Sequence, residues 1–260
     1  MEIGAYASLA LSSTPSIAYL ATGVEAGGAR RTELRLATAS AAPDEASDWS
    51  IAVIAYAEDE PTGPRDFPNG PGLFVDLLVL SDGRRVLVHY DRPQGALVAH
   101  VESGAGSGSF SATTLDGGGA LDRGRWLSAA VDANDLVHVA YQDAIGHQVF
   151  YVSFTPGGEV STPEVVDDGS REGDRPHWVG AGLVLWLDAG KPRVAYQDAT
   201  SANVVVATKD LWWTHADAAT GAALDGFHLA APAQGAGPLV WDRIDPAQLD
   251  VHQLVMDESP

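Results

Sequence analysis

The sequence has no cysteine, which excludes disulfides, thiolate metal sites and a cysteine nucleophile. It is poor in basic residues: Lys and Arg number 15 against 35 Asp and Glu, a formal net charge of −20. Such a surface repels phosphate backbones and anionic headgroups, so neither nucleic acid nor membrane insertion is expected. No run is long and apolar enough for a transmembrane helix, and the three-and-four apolar spacing of long amphipathic helices is missing. The chain opens Met1-Glu2-Ile3-Gly4 directly on a strand pattern, without the charged and apolar regions of a signal peptide. The 8 histidines fall at no metal-ligand spacing, so neither a metal nor a cofactor is expected.

What is abundant is turn chemistry. Gly and Pro number 28 and 15, and they punctuate short runs rich in Val, Ala and Leu. One run recurs. Val137-His138-Val139-Ala140-Tyr141-Gln142-Asp143 returns as Pro192-Arg193-Val194-Ala195-Tyr196-Gln197-Asp198, and more loosely as Val86-Leu87-Val88-His89-Tyr90-Asp91. Fainter copies are Pro15-Ser16-Ile17-Ala18-Tyr19 and Pro238-Leu239-Val240-Trp241-Asp242. Asp91, Asp143 and Asp198 stand 52 and 55 residues apart, a little longer than the ~40–45 residues of a common propeller blade.

Four short antiparallel strands per unit and five units predict an all-β, five-bladed β-propeller of four-stranded blades, the last blade incomplete. The expected single domain spans 1–260, with repeats at about 4–56, 72–115, 125–167, 177–217 and 226–257. An aromatic residue is expected to open each inner strand, at Tyr6, Phe74, Trp126, Trp178 and Phe227. A β-sandwich pair is the rival architecture, but it requires no regular internal repeat.

The pattern Asp-x-x-x-x-x-His-Val-Ala-Tyr-x-Asp, clearest from Asp132 to Asp143, resembles repeats of sialidase-like and other exported bacterial β-propellers. The resemblance covers nearly the whole chain and implies a fold, not an activity. A Ser-x-Asp-x-Gly-x-Thr-Trp box and an assignable arginine triad with its tyrosine are both missing, so sialidase activity does not carry over. The five-unit count is similar to that of tachylectin-type lectins. The chain is expected to be either cytoplasmic or a domain of a longer exported chain, and the resemblance favours the second, at an extracellular or cell-surface location.

In a propeller, the loop after each second strand and the loop entering each inner strand share one face. Asp91, Asp143 and Asp198 begin the first kind of loop; Arg65, Asp66, Arg123, Arg125, Asp174, Arg175 and His177 fall in the second. With Trp126 and Trp178, that face mixes carboxylates, guanidinium groups, histidine and aromatic rings, a combination suited to sugars. The eight candidates for ligand binding are Asp91, Asp143, Asp198, Arg125, Arg175, His177, Trp126 and Trp178, with no catalytic residue singled out. The aspartates and tryptophans also have a structural role open to them: an aspartate after a strand fixes its own turn, and the tryptophans pack between blades.

Recurrence of the polar positions leads to an expectation of a non-catalytic binding module for a glycan or a protein partner. The alternatives are a glycoside hydrolase, with Glu58, Glu60 or Glu172 paired to one of the three aspartates, and a rigid scaffold. One acid with a raised pKa would favour the enzyme.

Overall fold

The computed structural model describes residues 2–12, 14–40, 43–58, 68–171, 175–219, 224–232, 235, 237–245 and 248–257. These residues form five antiparallel sheets. Sheet one is β1 (Glu2–Ala10), β2 (Ser16–Ala26), β3 (Ala29–Ala39) and β4 (Trp49–Glu58). Sheet two is β5 (Leu73–Val79), β6 (Arg85–Asp91), β7 (Ala96–Glu102) and β8 (Phe110–Gly117). Sheet three is β9 (Arg123–Val131), β10 (Val137–Asp143), β11 (Val149–Phe154) and β12 (Glu164–Asp167). Sheet four is β13 (Val179–Asp188), β14 (Lys191–Asp198), β15 (Asn203–Lys209) and β16 (Trp213–Ala219). Sheet five has three strands, β17 (Leu224–Ala230), β18 (Leu239–Asp245) and β19 (Gln248–Asp257). Within every sheet the strands lie in chain order. The chain divides into two compact units, Met1–Arg125 and Trp126–Pro260.

The second strands β6 and β10 are buried along their whole length. Both faces of such a strand are covered, so its sequence reads as continuous burial instead of the alternation of a half-exposed strand. Polar residues in these strands therefore carry partners. Arg85 forms a bidentate pair with Glu102, and Gln142 donates its side-chain amide to the Val179 carbonyl at 2.6 Å. In the first unit, Ala18, Leu34 and Leu36 pack against Val75, Leu77 and Leu87. In the second, Ala140 and Tyr151 pack against Leu183, Leu185, Tyr196 and Val205.

The inner strands share a device that is finer than the expected leading aromatic. A residue two places after a glycine adopts left-handed backbone: Tyr6 after Gly4, Phe74 after Gly72, Trp126 after Gly124, Gly182 after Gly180, and His228 after Gly226. The register of β1, β5, β13 and β17 slips at this point, between Ala5 and Ser8, Leu73 and Asp76, Ala181 and Val184, and Phe227 and Ala230. The extra residue makes a bulge that bends the strand. For a bulky side chain a left-handed conformation costs on the order of 1–3 kcal/mol, so the surroundings must enforce it. The preceding glycine shows how. A Cβ on Gly124 (φ 120°) would sit 3.2 Å from the Leu97 Cα and from the Tyr90 ring. The inner strand is pressed there against the preceding sheet, and only glycine permits the approach. The aromatic expected at Trp178 lies before this frame: β13 begins at Val179, and Gly182 takes the left-handed position.

Candidate active site

All three repeated aspartates fix their own turns. Asp91 accepts hydrogen bonds from the Gln94 backbone N–H at 3.3 Å and from its side-chain amide at 2.7 Å. Asp143 accepts from the N–H groups of Ile145 and Gly146, both at 2.8 Å. Asp198 accepts from Thr200 and Ser201 at 3.0 and 3.1 Å. An acceptor at the end of a strand satisfies the amides that the turn exposes. The turns differ in electrostatics. Burial pushes the Asp91 carboxyl above its ordinary value, against the opposing bonds from Gln94.

Asp198 belongs to a larger cluster in the second unit. Its second oxygen accepts from His177 Nδ1 at 2.6 Å and lies 3.4 Å from Arg171. The same Arg171 nitrogen lies 3.0 Å from Asp167, whose other oxygen accepts from the Gly169 backbone at 2.8 Å. The Tyr196 hydroxyl, two residues before Asp198, donates to Asp167 at 2.7 Å. Two buried carboxylates thus share one guanidinium nitrogen. Burial alone would raise both acids. The bonds from Arg171 and Tyr196 outweigh it at Asp167, and those from His177 and Ser201 outweigh it at Asp198, so both are held below the ordinary carboxylate range. The Tyr196 phenol is raised by burial and by the Asp167 charge beside it.

His177 is braced against Gly169. The His177 N–H donates to the Gly169 carbonyl at 2.8 Å, and a Cβ on Gly169 (φ 76°) would stand 2.3 Å from the His177 carbonyl oxygen. Beside the cluster, Trp178 is 60% exposed, not packed in the core. His147 stacks on it with ring centroids 4.4 Å apart. Trp178 is fixed through its backbone: its N–H donates to the Thr200 hydroxyl at 2.9 Å, and its carbonyl accepts from Ala199 at 2.8 Å.

The other expected residues are placed differently. Trp126 is partly buried and packs against the core between sheets three and four. Arg125 lies in the field of Tyr90, whose hydroxyl donates to Asp122 at 2.5 Å; burial and that carboxylate raise the phenol, and the nearby Arg125 and Arg92 charges oppose them. Arg123 pairs with Asp116 at 2.8 Å. Arg175 and Glu58 are exposed. Glu60, Arg65, Asp66, Glu172 and Asp174 lie outside the described residues. Among the described residues, no group of three or more His, Asp or Glu side chains is arranged to hold a metal ion.

Asp167, Arg171 and Tyr196 were not singled out by the sequence. Tyr196 carries a repeat signal that reads as packing, and it does pack. Asp167 and Arg171 stand in no repeated motif, so only the fold brings them to Asp198.

No family model matches the chain, and no curated protein matches its sequence. Solved structures do share its fold. An α-L-arabinofuranosidase from Lactobacillus brevis matches 98% of this chain and 90% of its own, at 11% identity and a TM-score of 0.52. A GH43 β-1,3-galactosidase matches 95% of this chain and 54% of its own, at 6% identity and a TM-score of 0.50. A leech intramolecular trans-sialidase matches 87% of this chain and 36% of its own, at 12% identity and a TM-score of 0.48. This chain spans less than two thirds of the length of several of the structures it matches. The neighbours are GH43 and sialidase β-propellers, the type that the repeat resembles. They also correct an expectation. The arabinofuranosidase and the galactosidase that share this fold are glycoside-cleaving enzymes, so the non-catalytic binding module does not stand as the reading of this chain. Recurrence of the turn aspartates led to that expectation, and the structure accounts for the recurrence by turn formation.

Proposed function

We propose that the chain is a glycoside hydrolase whose chemistry is carried by the loop-end cluster of the second unit. The observation behind this reading is a pair of buried, ionised carboxylates, Asp167 and Asp198, beside a carboxylate-bound histidine and an exposed tryptophan. Glycoside cleavage passes through an oxocarbenium-like transition state that a nearby carboxylate stabilises. Asp198 orients the His177 ring through Nδ1, which leaves Nε2 as the atom that exchanges a proton with the leaving-group oxygen. Asp167, Asp198 and the Ser170 carbonyl take the four terminal N–H groups of Arg171, which leaves its Nε–H as the donor for a sugar hydroxyl. Trp178, backed by His147, offers its ring to the C–H face of a sugar. The fold shared with glycosidases supports the same class. We also propose that the five sheets are the blades of one propeller domain over 1–260, with a glycan as the partner.

The test is hydrolysis of a panel of aryl glycosides, including an α-L-arabinofuranoside and a β-D-galactoside. The expected result is turnover of at least one, lowered on the order of 10²–10⁴-fold in Asp198→Asn and His177→Gln. Absence of turnover across the panel, or full activity in both variants, would sink the proposal.

A further inference from the structure

A second built site lies in the first unit. A cavity of about 350 Å³ is lined by Ser12, Thr14, Thr38, Ser50, Arg85 and Phe110, with Leu36, Ile51 and Ala52 as apolar wall. It opens at the start of β6, whereas Asp91 ends that strand. Six residues of extended chain separate the two by roughly 20 Å. The volume lies within the ~300–1,000 Å³ typical of small-molecule sites.

Its polar groups are preorganised. Arg85 donates from Nε to Glu102 at 2.9 Å, from one terminal nitrogen to the other Glu102 oxygen at 2.5 Å, and from the second to the Thr38 hydroxyl at 2.6 Å. Glu102 is braced in turn by the N–H groups of Arg85 and Gly108, at 3.1 and 2.9 Å. A guanidinium carries five N–H groups, so two remain to donate. The Thr38 hydroxyl accepts from Arg85, which frees its own hydrogen to donate outward. The Ser12 and Ser50 hydroxyls donate to the Thr14 and Thr38 carbonyls at 2.9 and 3.2 Å and so offer acceptors, while the Thr14 hydroxyl can donate or accept. The Arg85 guanidinium lies 5.7 Å from the centroid of the Phe110 ring.

The charge at this site narrows the ligand. Glu102 neutralises Arg85 in a bidentate pair, and the chain carries −20 overall. An anion would meet a carboxylate directly behind the guanidinium, so charge does not recruit it. Alternating donors and acceptors opposite an apolar wall match the hydroxyl rim and C–H face of a sugar ring. We propose that this cavity binds one neutral monosaccharide unit, as a site separate from the hydrolytic cluster.

The experiment is a two-dimensional amide NMR titration of the intact chain with D-galactose, L-arabinose, D-glucose and D-xylose, each in turn. At least one sugar should shift the amides of Thr38, Arg85 and Phe110. Thr38→Val, which removes the hydroxyl at nearly constant volume, should weaken that binding by up to about tenfold, equivalent to one neutral hydrogen bond. Should Thr38→Val fail to fold, Ile51→Asp on the exposed wall serves instead and should abolish the shifts. Asp198→Asn should leave them unchanged, which separates this site from the hydrolytic one. No shift at these residues with any of the four sugars would overturn the proposal. So would shifts that survive both cavity substitutions.

Discussion

The ends of β6 and β14 occupy the same place in the repeat and solve burial in opposite ways. Two residues before Asp198 stands Tyr196, whose hydroxyl reaches the charged network of Asp167 and Arg171. Two residues before Asp91 stands His89, fully buried, with its Nδ1 accepting from the Gly72 N–H at 3.1 Å. His89 stacks on His100 at 5.2 Å, and its Nε2 has no hydrogen-bond partner. One strand end is ionic and the other is neutral, within the same pattern of apolar neighbours. The strand frame therefore sets only the fold. The segments packed beside it, which in sheet four bring Arg171 and His177, decide whether the strand end is ionic or neutral.

The largest expected effect breaks this symmetry by pH. Burial, reinforced for His89 by the His100 charge, drives His89 down to about 3; burial drives His100 down to about 4. The unfolded chain titrates both near 6.5, so between pH 6.5 and about 3 it binds more protons than the folded chain. Stability contributed by the neutral pair is present above pH 6.5 and falls as the pH drops through that window. Between pH 7 and pH 4.5 the loss from this pair is up to about 5 kcal/mol. Thermal unfolding across that range should show a steep fall in Tm, reduced by roughly half in His100→Phe. An unchanged slope in the variant would remove the histidine pair from the account.

The ionic end should respond at a different pH. Arg171→Leu removes the cation between two carboxylates whose side chains are each 2% exposed. Leaving buried charge uncompensated costs on the order of 3 kcal/mol, lessened here because Tyr196 and His177 remain as donors. Asp167 and Asp198 are depressed in the folded state, so the stabilisation that Arg171 supplies is present above 3.8 and disappears as the pH falls below it. The gap between wild type and Arg171→Leu should therefore be full at pH 7 and close only under strong acid. Closure already at pH 5.5 would show that the carboxylates are not held ionised by this arginine.

The two ends also show what was legible beforehand. Strand positions and the five-sheet order follow from turn chemistry and from the recurring strand that reads Val-Ala-Tyr in β10 and β14, because these depend on local sequence. The inner-strand bulge was half visible: Tyr6, Phe74 and Trp126 stood out as aromatics, but the glycine two residues earlier is the constant feature. Trp178 looked like part of that series and is instead an exposed ring. The cluster was legible only at Asp198 and His177. Asp167 sits at the end of the short β12 and Arg171 in an irregular loop, where no periodicity marks a residue as facing a neighbouring strand. Contacts 27 to 29 residues apart, Arg171 to Asp198 and Asp167 to Tyr196, are made by the fold and leave no local signature.

The smallest expected effect is at Asp143, and it sharpens the comparison most directly. Its described bonds run from Ile145 and Gly146 to a single oxygen. Asparagine keeps that oxygen as an acceptor for both turn amides, so Asp143→Asn should lower stability by about 1 kcal/mol or less. It should leave aryl-glycoside hydrolysis unchanged, whereas Asp198→Asn removes both an anion and the orientation of His177. The two substitutions are chemically identical and fall at the same place in neighbouring repeats. If Asp143→Asn abolished hydrolysis as completely as Asp198→Asn, the chemistry would belong to the repeated turn and not to Arg171 and His177 beside Asp198.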